Sequence, residues 1–128
     1  MKKQPEPEQQ MDLRTTLAQN LLMHVYYRLS AAVSLDASGH PSWVRMFDTE
    51  FGSMCMRVAQ DADEVWLMSN HPEGQTSLYE ADMNNLMLLR AAAPKARLRV
   101  FVVNEDTGCT EIDLEGTVDV SYTGRKTN

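Results

Sequence analysis

The hydrophobic positions change period once, near residue 30, and that change divides the chain. Before it, Leu13, Leu17, Leu21, Leu22, Val25, Tyr26 and Leu29 recur at helical spacing, which predicts one long amphipathic helix. Asp12 is placed as its N-cap, where a carboxylate can accept from the first unpaired amides. After residue 30 the apolar positions alternate. Ala31 to Leu35 and Ser42 to Phe47 flank the turn formers Asp36, Ala37, Ser38, Gly39, His40 and Pro41, a pattern that predicts a hairpin. A third strand is expected over Ser53 to Ala59, where Met54, Met56 and Val58 alternate with Cys55 and Arg57, and a fourth over Glu64 to Ser69.

Helical spacing then returns. Ser77 and Glu80 stand three apart ahead of an apolar run, the form of a capping box, and a helix is expected to about Ala92 with Tyr79, Met83, Leu86, Met87 and Arg90 along one side. Pro94 makes continuation costly. Three more strands are expected: Arg97 to Val103, Cys109 to Leu114 and Thr117 to Tyr122. The predicted order is α-β-β-β-β-α-β-β-β, an α+β fold. Its sheet should be mostly antiparallel, or close into a split barrel, because short connections favour antiparallel neighbours. Residues 1–10 are polar and proline-containing and predict a disordered tail; 11–122 form a single α+β domain, and 123–128 a C-terminal tail.

Composition narrows the function classes. The chain has 128 residues, enough to bury one core without disulfides. A net charge of −6 repels a phosphate backbone, so no nucleic acid is expected as a partner. The longest apolar runs, Leu86 to Leu89 and Val100 to Val103, are too short to span a bilayer, so no membrane is expected. Residues 1–10 carry no apolar leader core, and a cytoplasmic location is expected. Cys55 and Cys109 form no metal or redox motif and read as free, buried thiols, although Arg57 stands near enough to Cys55 on one strand face to lower its pKa if both are exposed.

Candidate chemistry is sparse. His24 falls in the first predicted helix, and His40 and His71 precede prolines in turns; none shares a ligand spacing, so each reads as a surface or loop side chain and no metal is expected. Serine is present, but no Gly-x-Ser-x-Gly elbow is, and catalytic residues are expected to be none. Asp61, Asp63 and Glu64, and again Asn104, Glu105 and Asp106, lack the spacing of a calcium loop and read as solvated turns. Nine methionines are many for this length. Met23, Met46, Met54, Met56, Met68, Met83 and Met87 read mainly as core filling, and as an adaptable binding surface if exposed beside Trp43 or Trp66.

Two stretches, Ala31 to Phe47 with its Asp-x-x-Gly-x-Pro turn and Val100 to Gly108 continuing through Ile112 to Val120, resemble the hairpins of the pyridoxamine-phosphate-oxidase-like split-barrel flavin-binding family. That resemblance implies a homodimer binding FMN between subunits, possessing oxidoreductase chemistry or derived from it, with Arg45, Ser69, Gln75 and Ser77 holding the phosphate. Residues 70–75 depart from the family in carrying no basic residue to meet that phosphate. In size and acidity the chain also resembles bacterial secretion chaperones, although the predicted order lacks their final helix. The leading expectation is a non-catalytic, chaperone-like, partner-binding or regulatory protein, with a protein partner, as a homodimer, and with no cofactor. FMN belongs to the alternative.

Overall fold

The computed structural model describes residues 8–24, 28–52, 62–72 and 77–113. The first helix, α1, spans Glu8–Leu22. It is followed by β1 (Leu29–Leu35), β2 (Pro41–Asp48), a single 3-10 turn over Thr49–Phe51, β3 (Glu64–Asn70), α2 (Glu80–Ala92), β4 (Arg97–Asn104) and β5 (Gly108–Ile112). The strands form one sheet in the order β2-β1-β3-β4-β5. Three of the neighbouring pairs are antiparallel, and β3 with β4 is parallel. The α+β class stands, with an open mixed sheet of five described strands rather than a barrel.

The sheet is mostly antiparallel as expected, and the parallel β3–β4 pair makes it mixed. A strand followed by a helix of 13 residues has chain enough to return to the same end of the sheet, and β3-α2-β4 does so. The helices lie on opposite faces. Leu17, Ala18 and Leu21 of α1 pack on Ala31, Val33, Leu35, Trp66, Met68, Phe101 and Val103. Leu86 and Leu89 of α2 pack on the alternate residues Ala32, Phe47, Val65, Leu67 and Val100. Period two thus buries both faces of β1, β3 and β4, whose residues from 30 to 35, 65 to 70 and 100 to 104 are almost all inside.

The first helix is displaced from its expected bounds. It begins four residues before Asp12, and Gln10 is buried, its side-chain amide donating to Gly39 O in the β1–β2 turn at 3.0 Å. It stops at Leu22, and Leu29, expected to end it, opens β1 instead. The stop has a visible cause: Asn70 Nδ2 donates to Leu21 O at 3.1 Å and His24 O at 2.8 Å, while Asn70 Oδ1 accepts from Leu29 N. One side chain therefore satisfies carbonyls that a continuing helix would otherwise bind, and fixes the start of β1 beside them. The expected hairpin is present. Asp36 Oδ1 accepts from Ser38 N and His40 N, and Gly39 supplies the positive φ of +83° that closes the turn.

The second helix, by contrast, starts later than expected. Its N-cap is Tyr79, whose backbone N–H donates to Asp82 Oδ2 at 3.1 Å, so Asp82 does the work expected of Glu80. Its buried side carries Asp82, Asn85, Leu86 and Leu89, whereas Met87 points outward and is 64% exposed. At its far end Arg90 donates to Pro94 O and Ala96 O, both at 2.9 Å. Met68 is a core residue as expected, but Met23, Met46 and Met87 are exposed. Cys109 is exposed rather than buried, and it lies on β5, the last of the described strands in the sheet. The expected strands over 53–59 and 117–122, the tails at 1–7 and 123–128, and Cys55, Arg57, Met54, Met56, Asp61 and Gln75 lie outside the described residues.

Candidate functional site

A cleft of about 430 Å³ lies on the α2 face, between the 3-10 turn and the first half of the helix. Arg28, just ahead of β1, Thr49, Glu50, Gly52 and Tyr79 line it together with Asn84, Asn85 and Leu88 from α2. The turn is held to the helix by Asn85, whose Nδ2 donates to Thr49 O at 3.0 Å. That contact is why position 52 is glycine: a Cβ there would fall 2.0 Å from Asn85 Oδ1.

Behind the cleft is a buried ionic cluster. His71 Nε2 and Asp82 Oδ2 are 2.7 Å apart, and both side chains are fully inside. Arg28 reaches the same carboxylate oxygen at 3.3 Å and extends its other branch to Glu50 at the surface. Tyr79 is clasped between them, with the Arg28 guanidinium 4.1 Å above its ring and the His71 ring centroid 4.4 Å away. Burial by itself pushes the Asp82 carboxyl up. The hydrogen bond and charge of His71, with smaller help from the Ser69 hydroxyl and the Tyr79 amide, outweigh burial and hold the carboxyl below its ordinary value of 3.8. Beside the cluster, Ser30 Oγ lies 2.7 Å from both Thr49 Oγ1 and Ser69 Oγ, which extends the polar contacts across β1 and β3 beneath the helix.

His71 corrects the expectation of a loop histidine: it follows β3 directly, its N–H donates to Val103 O at 2.8 Å, and its ring is sealed in. His40 is exposed in its turn, and His24 lies just beyond α1 rather than within it. Among the described residues no group of His, Cys, Asp or Glu could hold a metal ion, and no helix is long and apolar enough to cross a membrane. The acidic turn residues separate in role, since Asn104 is buried while Glu105 and Asp106 are exposed. Glu64 is engaged by Trp66 Nε1 at 2.7 Å and by Arg99 at 3.6 Å.

Three of the residues that the flavin resemblance assigns to a phosphate, Arg45, Ser69 and Ser77, fall within the described residues. Arg45 is exposed on β2, its guanidinium 6.0 Å from the Trp43 ring centroid. Ser69 is buried in β3 against Ser30, Ser77 is exposed ahead of α2, and neither described pocket is lined by any of the three. Sequence reasoning missed Arg28, Tyr79, Asp82 and Asn85. The available signal was the acid in the first turn of α2, which sits where a helix N-terminus favours negative charge.

With its histidine and aspartate fully buried and bound to each other, the cluster acts as a wall that fixes the helix; the accessible surface is the cleft and the outer side of α2. That outer side carries Met87 and Leu88, 64% and 39% exposed, and the facing turn carries Phe51, 55% exposed. No family model matches the sequence, and no curated protein matches it.

Proposed function

We propose that the protein is a non-catalytic, chaperone-like binding protein that works in the cytoplasm as a homodimer and holds a protein partner. The observation that carries this reading is the outer face of α2, where Met87 and Leu88 stand in solvent. Large apolar groups clustered outside a folded chain mark surfaces that another chain covers, and flexible methionine side chains adapt to partners of varied shape. The buried cluster supports the same reading because it holds α2 in one orientation, and a docking face that is already rigid loses less entropy on binding. A second apolar pair, Val44 and Met46, stands exposed on β2 on the opposite side of the sheet and offers the partner a separate surface.

Affinity capture from the native host at low salt tests the proposal. The wild-type chain is expected to retain a partner reproducibly, and Val44→Ser with Met46→Ser to lose it while the dimer formed through α2 persists. Recovery of the bait alone in repeated captures would contradict the partner reading.

A further inference from the structure

The outer side of α2 carries a regularity beyond its apolar pair. The exposed residues of the helix are Glu80, Asn84, Met87, Leu88, Arg90 and Ala91, and Lys95 is exposed in the turn that follows. With successive residues about 100° apart around the axis, positions 80, 84, 87, 88 and 91 fall on one stripe. Asp82, Asn85, Leu86 and Leu89 occupy the opposite side and face the sheet. Arg90 lies on the flank and turns back to donate to Pro94 O and Ala96 O.

The stripe reads the same in both directions about the midpoint between Met87 and Leu88. Asn84 stands three residues before Met87, and Ala91 three after Leu88; Glu80 stands seven before Met87, and Lys95 seven after Leu88. The positions so matched are complementary in chemistry. Glu80 answers Lys95, the longer Asn84 answers the small Ala91, and the Met87 thioether answers the Leu88 hydrocarbon. A two-fold axis demands this of a surface that binds its own copy, because residue i then meets j while j meets i. Both terminal charges are available, since among the described residues neither Glu80 nor Lys95 forms an ion pair.

Charge also selects the direction. Two α2 helices laid antiparallel bring each Glu80 to Lys95 of the partner subunit and oppose the two helix dipoles, which is favourable. A parallel pair sets glutamate on glutamate and lysine on lysine, which is not. We propose that a second copy of this chain covers the stripe, antiparallel about a two-fold axis between Met87 and Leu88, with two Glu80–Lys95 ion pairs fixing its direction. The proposal rests on the homodimer reading above and adds to it the contact and its orientation.

Sedimentation of the full chain carrying charge reversals decides it. Glu80→Lys turns both ion pairs into repulsions between lysines, and Lys95→Glu turns both into repulsions between glutamates. Each alone is expected to weaken the dimer about tenfold, while the circular dichroism of the folded chain is unchanged. An equimolar mixture of the two variants is expected to recover association to within about threefold of wild type, because both contacts in the mixed dimer again join glutamate to lysine. The double variant, Glu80→Lys with Lys95→Glu, should dimerise as wild type does for the same reason. Reversals that leave the dimer unchanged, or whose mixture fails to associate, would overturn the antiparallel pairing while the homodimer itself stands. A wild-type chain that stays monomeric would overturn the pairing and the homodimer reading together.

Discussion

The two faces of the sheet are each covered by one helix, yet they are built from different chemistry. Under α1 the contact is hydrocarbon and aromatic: Leu17 and Leu21 meet Val33, Leu35, Trp66 and Phe101, with the last two rings edge to face at 5.7 Å. Arg14 and Arg99 add their guanidinium groups over those rings, and Glu64 and Glu111 bind Arg99. Under α2 the apolar contacts of Leu86 and Leu89 share the face with Ser30, Thr49, Ser69, Asp82 and Asn85, all buried and hydrogen-bonded. Apolar packing is strong but tolerant of small shifts, whereas a hydrogen-bonded cluster is satisfied in one geometry only. Buried amides tie both helices, α1 through Gln10 and Asn70 and α2 through Asn85, and the ionic cluster under α2 adds a further hold that suits a helix whose outer side binds another chain.

The largest effect should come from the apolar face. Trp66→Ala is expected to cost about 5 kcal/mol in urea unfolding, through lost burial and the cavity left behind. Leu21→Met, which conserves volume, should cost under about 1.5 kcal/mol. On the other face, Asp82→Ala strands His71 and Arg28 and should cost about 3 kcal/mol. Comparable tolerance on both faces would remove the distinction.

Acid sharpens the comparison. The Asp82 carboxyl is depressed in the folded chain, so its contribution is present above its ordinary value of 3.8 and is lost as pH falls through the lower, folded value. The stability gap between wild type and Asp82→Asn should therefore narrow below about 4. Chemical denaturation at a series of pH values reads it, and a gap that widens in acid would reverse the assignment. Next, Gly52→Ala sets a methyl against Asn85 Oδ1 and should cost about 2 kcal/mol by overpacking. The smallest effect on stability, within about 0.5 kcal/mol, is expected for Met87→Asp, whose side chain is outside the core.

These contrasts also explain what the sequence disclosed. The unbroken apolar runs Val65 to Met68 and Val100 to Val103 made β3 and β4 legible, as did the Asp36–Gly39 turn between β1 and β2. The pairing of β3 with β4 was not legible, since period two says nothing of strand direction. Boundaries failed where a distant side chain decides them: Asn70 ends α1 from β3, and Asp82 caps α2 while binding His71. The cluster itself left no motif, because Arg28, His71, Tyr79 and Asp82 come from three separate parts of the chain. His71 beside Pro72 carries the same local signature as His40 beside Pro41, yet one is sealed inside and the other exposed.

Sedimentation velocity across a range of concentrations tests the role of α2 most directly. The wild-type chain is expected to sediment as a dimer, and Met87→Asp with Leu88→Asp as a folded monomer. A wild-type chain that stays monomeric, or a dimer that survives both substitutions, would contradict it.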